Sequence, residues 1–171
     1  MSNYLNQLIT EHTDFPKKGI VFKDILNLLQ HPDVFADLIK NMSSSEIFIN
    51  SDVIISIDAR GFIFGAAISM RLSKPMIVAR KPGKLPGELI TKSYELEYGN
   101  NSLSIQKNAI KKHQSFVIVD DLLATGGTVK CVADMLKEAG KEISGLSVVA
   151  ELGHLNAKDD LPFPVKSQII F

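Results

Sequence analysis

The chain has 171 residues, with Lys plus Arg equal to Asp plus Glu at 19 each, so composition gives no support to bulk electrostatic binding of nucleic acid or an anionic membrane. This length suits one domain, 1–171, that buries about 70% of its unfolded surface, and no apolar run approaches the ~20 residues of a membrane span. The single cysteine, Cys131, permits no internal disulfide; with no basic-then-apolar leader in Met1 to Glu11, a reducing, cytoplasmic setting is expected.

Tyr4, Leu5, Leu8 and Ile9 suggest an amphipathic first helix, and Pro16 and Gly19 break the chain into a loop from Asp14 to Gly19. A second helix starts near Pro32, with Val34, Phe35, Leu38 and Ile39 as its buried stripe, and the run Ser43-Ser44-Ser45 is a turn. Val53 to Ile57 reads as a strand, Ile63 to Leu72 as a helix and Met76 to Ala79 as a strand, a parallel crossover. Pro82 to Tyr94 has two prolines and two glycines and reads as a mobile surface loop. Glu95 to Tyr98 and Ser102 to Ile105 can pair across a turn at Gly99-Asn100. A strand from Phe116 to Val119, a helix from Thr128 to its stop at Gly140 and the run Gly145 to Ala150 repeat the crossover. The fold class is α/β, a mainly parallel central sheet with helices on both faces.

The segment from Phe116 to Thr128 is the most informative. An apolar strand meets Asp120 and Asp121, then Leu122, Leu123, Ala124, Thr125, Gly126, Gly127 and Thr128 open a helix. Small residues let backbone amides approach a ligand, and the helix N-terminus adds roughly half a positive charge, so a phosphate monoester fits there. Two adjacent acids repel that phosphate and call for neutral hydroxyls or a cation, and a ribose diol supplies the hydroxyls. Neither a P-loop nor a Rossmann glycine pattern is present. Asp58-Ala59-Arg60-Gly61 follows a strand at the ligand-binding end of such sheets, where Arg60 is a candidate anion ligand or an ion-pair partner of Asp58. Arg80, Lys81 and Lys84 cluster ahead of the glycine-rich loop.

The Phe116 to Thr128 segment resembles the phosphoribosyl pyrophosphate (PRPP) motif of type I phosphoribosyltransferases. Asp14-Phe15-Pro16-Lys17-Lys18-Gly19-Ile20-Val21-Phe22-Lys23-Asp24-Ile25 resembles the base-recognition segment of adenine phosphoribosyltransferases, and Gly83 to Gly87, Ser93 to Gly99 and Arg60-Gly61-Phe62 with Phe64-Gly65 match that family's patterns. The resemblance covers about residues 14 to 128. It implies the type I phosphoribosyltransferase fold, with an N-terminal hood over the base (about 1–30) and a mobile flap loop. The implied activity is Mg²⁺-dependent transfer of 5-phosphoribosyl from PRPP to N9 of adenine, giving AMP and pyrophosphate. Magnesium is then held mainly by pyrophosphate and water, with no direct protein ligand, and a homodimer is implied.

By position, PRPP falls to Asp120, Asp121, Ala124, Thr125, Gly126, Gly127, Thr128, Arg60, Arg80, Lys81 and Lys84. Adenine falls to Val21, Phe22, Lys23 and Leu122, with Phe22 and Leu122 on opposite ring faces and the Val21 backbone at the Watson-Crick edge. Chemistry falls to Glu97 as general acid/base, with Tyr98 beside it, and to Arg60. Lys23 stands where many members carry Arg and lacks its planar fork; Ala59 stands where many have Ser and lacks the hydroxyl. A transferase for another base, or a PRPP-sensing regulator on the same fold, are the alternative readings.

Overall fold

The computed structural model describes residues 2–96 and 99–171. In chain order, α1 (Ser2–Leu8) leads into β1 (Thr10–Thr13) and β2 (Val21–Asp24), then a 3-10 turn at Leu26–Gln30, α2 (Pro32–Ser43) and α3 (Glu46–Ile49). The next elements are β3 (Val53–Ile57), α4 (Gly61–Leu72) and β4 (Met76–Ala79), followed by the hairpin β5 (Leu89–Leu96) and β6 (Gly99–Gln106) and the short α5 (Lys107–Ile110). Then come β7 (Ser115–Leu123), α6 (Gly127–Glu138), β8 (Glu142–Glu151), two 3-10 turns and β9 (Val165–Ile170).

Five strands form one parallel sheet in the order β4-β3-β7-β8-β9. Alternation along its strands feeds two apolar cores. Ile55, Ile57, Ile118 and Leu146 pack with Val132, Met135 and Leu136 of α6 on one face. Ile54, Val117, Val119 and Val149 pack with Leu38 and Met42 of α2 and Phe64 and Ile68 of α4 on the other. Their near-continuous apolar sequences follow from burial on both faces. At the base of the sheet the Asp52 carboxylate accepts the Gln114 and Ser115 N–H groups at 2.9 and 3.0 Å, joining the starts of β3 and β7. Helix α4 lies so close to β3 that a Cβ on Gly65 would stand 1.7 Å from Ser56 Oγ.

Several expectations are corrected. The acids do not follow the strand but belong to it: β7 runs to Leu123 because Asp120 pairs with Val148 and Leu123 with Glu151 of β8. Residues from Leu89 onward are not loop, since β5 pairs with β6 over its whole length and packs on α6, with Lys92 in ion pairs to Asp134 and Glu138. Gly99 and Asn100 are strand rather than turn, because Gly99 pairs with Leu96. A bridge between Arg80 and Ser104 fixes this hairpin to the end of β4.

Candidate active site

The carboxyl ends of β3 and β7 lie side by side at the middle of the sheet, where the chain leaves them in opposite directions, and that divergence opens a crevice. A cavity of about 380 Å³ fills it, lined by Asp58, Ala59, Arg60, Lys81, Asp120, Asp121, Leu122 and Thr128 together with Ile57, Tyr94 and Asn101. Asp120 and Asp121 are both nearly buried, at 8% and 6% exposed. Burial first, and the adjoining Asp121 charge second, push the Asp120 carboxyl well above the usual carboxylate range. Gly61, at the start of α4, has no room for a side chain, since a Cβ there would lie 2.8 Å from Asp120 Oδ1. Beyond the acids, Ala124, Thr125 and Gly126 form the bend into α6, and Gly126 takes the left-handed conformation at φ 80°. The Thr128 hydroxyl donates to Tyr94 Oη at 3.4 Å, linking this bend to β5.

Arg60 ion-pairs with Asp121, Nε to Oδ2 at 2.7 Å, and not with Asp58. The carboxylate of Asp58 is instead taken by Arg80 at 3.1 Å, and the Arg80 guanidinium sits 5.6 Å from the Phe62 ring. The peptide bond Asp58–Ala59 is cis. Of the basic cluster, Lys81 lines the cavity, Arg80 braces its wall through Asp58, and Lys84 lies on the exposed loop without lining it.

A second cavity of about 530 Å³ adjoins the first through Arg60 and is lined by His12, Phe15, Phe22, Asp24, Leu26 and Arg60. Phe15 and Phe22 meet edge to face at 5.2 Å, and the Arg60 guanidinium carbon is 5.2 Å from the Phe22 ring centre. Residues expected together at the base are separated here. Lys23 leaves the opposite side of β2, where it ion-pairs with Glu11 and places its ammonium 4.3 Å from the Phe171 ring centre. Leu122 lines the acidic cavity rather than the aromatic one, and the Val21 side chain is exposed. Glu97 and Tyr98 lie outside the described residues. Tyr94, Asn101, Phe15, His12 and Asp24 also line the cavities; Tyr94 and Asn101 reach theirs as register partners across the β5–β6 hairpin, a pairing that the loop-like composition around Tyr94 conceals in the sequence.

A family model described as the phosphoribosyl transferase domain matches residues 23–168. The adenine phosphoribosyltransferase of Prochlorococcus marinus (strain MIT 9211) is 77% identical over 171 residues, covering 100% of this chain and 99% of that protein. The enzyme of that name from Mycoplasmopsis synoviae is 46% identical, covering 96% of this chain and 98% of that protein. The crystal structure of adenine phosphoribosyltransferase from Thermoanaerobacter pseudethanolicus matches with a TM-score of 0.95 at 40% identity, covering 100% of both chains. The chain belongs to the adenine phosphoribosyltransferases. Another adenine phosphoribosyltransferase, from Saccharomyces cerevisiae, has a structure complexed with D-2,5-dideoxy-2,5-imino-altritol 1,6-bisphosphate and adenine, and matches with a TM-score of 0.88 at 32% identity over 97% of each chain. As an adenine phosphoribosyltransferase, this chain is a pentosyltransferase, and its five-stranded parallel sheet is that of the type I fold.

Proposed function

We propose that this adenine phosphoribosyltransferase seats PRPP in the acidic cavity and adenine in the aromatic one, joining the base through N9 to C1′ of the ribose as pyrophosphate departs. The observation that carries this reading is the adjacency of the two cavities through Arg60, which puts a base site and an anion site within reach of one substrate carbon. The 5-phosphate lies on the amides of the Ala124 to Thr128 bend, where the helix dipole favours negative charge. Asp120 and Asp121 accept the ribose hydroxyls, and Arg60 and Lys81 offer charge to the departing pyrophosphate. Phe22 stacks on the adenine ring, a contact worth about 1–3 kcal/mol. The Val21 backbone meets the base edge, where a mismatched purine would leave an amide and a carbonyl unpaired.

The donor set fits magnesium carried by the substrate. Asp120 and Asp121 are adjacent, and Asp121 is already engaged by Arg60, so the pair offers few free oxygens to an ion of its own. When bound with the substrate, Mg²⁺ would supply Lewis-acid charge to the departing pyrophosphate, while Asp120 and Asp121 hold the ribose. Glu97 serves as general acid/base at N7 of adenine, with Tyr98 beside it. Residues 1–30 act as a hood over the base, and the segment around Lys81 to Glu88 with the β5–β6 hairpin acts as a flap that excludes water from PRPP. The whole chain functions as one domain, as a cytoplasmic homodimer.

The test is AMP formation from PRPP and Mg²⁺, with adenine set against hypoxanthine, guanine, xanthine and orotate. Adenine should be strongly preferred. Asp120→Asn/Asp121→Asn should cut turnover by a factor on the order of 10² or more, from two lost charge-assisted hydrogen-bond acceptors. Glu97→Ala should lower kcat by roughly 10²–10⁴, and Phe22→Ala should raise the adenine KM by roughly 5- to 150-fold. Comparable turnover with hypoxanthine would sink the role given to the Val21 backbone.

A further inference from the structure

The strand that carries Phe22 needs an anchor. All four residues of β1 are exposed, and a two-stranded hairpin on its own is marginal in water. On the cavity side, Phe22 meets Phe15 from the exposed loop that precedes β2, and Arg60, which also faces the acidic cavity and is engaged by Asp121. Any anion that recruits Arg60 withdraws that support. On the other side of β2 the arrangement is fixed. Lys23, with 13% of its side chain exposed, ion-pairs with its register partner Glu11 and points its ammonium at the Phe171 ring, 4.3 Å from the centre. Phe171 belongs to the body of the molecule. Its N–H donates to the Glu151 carbonyl and its carbonyl accepts from the Gly153 N–H, both at 2.8 Å, and its side chain packs against the core beneath α1 and α2.

Successive side chains leave a strand on opposite faces, so a pull on Lys23 sets the height of Phe22 on the reverse side. We propose that Lys23 and Phe171 form a cation–π clip that positions the Phe22 ring for the base, making both of them positioning residues for adenine affinity. The clip explains how a lysine serves at this position without touching the base. It rests on the reading of Phe22 as the base platform.

Steady-state kinetics in both substrates test it, on Lys23→Met, Lys23→Arg, Phe171→Leu, Phe171→Tyr, the Lys23→Met/Phe171→Leu double variant and Phe22→Ala. Loss of either clip member should raise the adenine KM by roughly 3- to 30-fold, the span of exposed to enclosed cation–π contacts. The PRPP KM and kcat should stay within about twofold, the pattern of lost ground-state binding. Lys23→Arg and Phe171→Tyr should behave as the parent, since each keeps its half of the contact, and the double variant should be no worse than the worse single one. If Phe171→Leu does not fold, Lys23→Met, which keeps the length of the stem, decides alone. An unchanged adenine KM in Lys23→Met alongside a raised one in Phe22→Ala would overturn the clip and leave the platform standing. An unchanged adenine KM in Phe22→Ala would overturn the platform and the clip with it. Parallel losses for both substrates, accompanied by a lowered Tm, would reduce the pair to scaffold and also overturn the proposal.

Discussion

Asp120, to which we assign a ribose hydroxyl, works against the stability of the fold that buries it. Its carboxyl is held above the ordinary value of 3.8, by burial first and by Asp121 second. As pH rises from 3.8, the unfolded chain therefore releases this proton before the folded chain does, and folding loses stability until the folded carboxyl has also ionised. The penalty is complete above that raised pKa and absent in strong acid. Asp120→Asn removes it, so calorimetry of the substrate-free protein at about pH 7 should show Tm higher by roughly 2–4 °C for each kcal/mol recovered, with the gain shrinking toward about pH 4. The same variant should turn over PRPP poorly, the usual exchange of stability for function. These acids were legible in the sequence because they share one contiguous segment with the bend that follows them. The Arg60–Asp121 pair was not, since either Asp58 or a ligand could equally have claimed the guanidinium until the sheet set β3 beside β7. Lys23 was placed at the base through family likeness, whereas the two-residue alternation of a strand puts it on the face opposite Phe22.

Among the elements, apolar runs and helical spacing marked β3, β4, α2 and most of α4 within a few residues, because burial on both faces leaves a strong signal. Strand ends were harder. Aspartate disfavours strands, so the reading of β7 stopped at Val119, but pairing with β8 carries the ladder through both acids. Thr10–Thr13 and Val165–Ile170 give little sequence signal, since neither TEHT nor VKSQII alternates cleanly between apolar and polar residues. Charged Lys92 and polar Thr91 and Ser93 disguised β5, which is held by its partner strand and by α6 rather than by apolar content. Helix α4 owes its depth to Gly65. A methyl there would run into Ser56 Oγ and Cβ, at 1.7 and 2.9 Å. Gly65→Ala should therefore lower unfolding free energy by about 1–3 kcal/mol in urea titrations, the ordinary cost of overpacking a dense interface.

At the scale of the molecule, two apolar cores share one sheet, so neither can open without exposing the other. Hydrogen exchange should grade accordingly: amides of β3, β7 and β8 slowest, those of β1 fastest, with the β5–β6 hairpin between them. Comparable rates in β1 and β7 would contradict this ordering. The two cavities meet at a single guanidinium that lies against Asp121 on one side and the Phe22 ring on the other. Whatever occupies one cavity changes what Arg60 can do for the other, and such an influence must be reciprocal: if the first ligand shifts the affinity for the second by some factor, the second shifts the affinity for the first by the same factor. The arginine that both cavities share is the contact through which the two equilibria can couple.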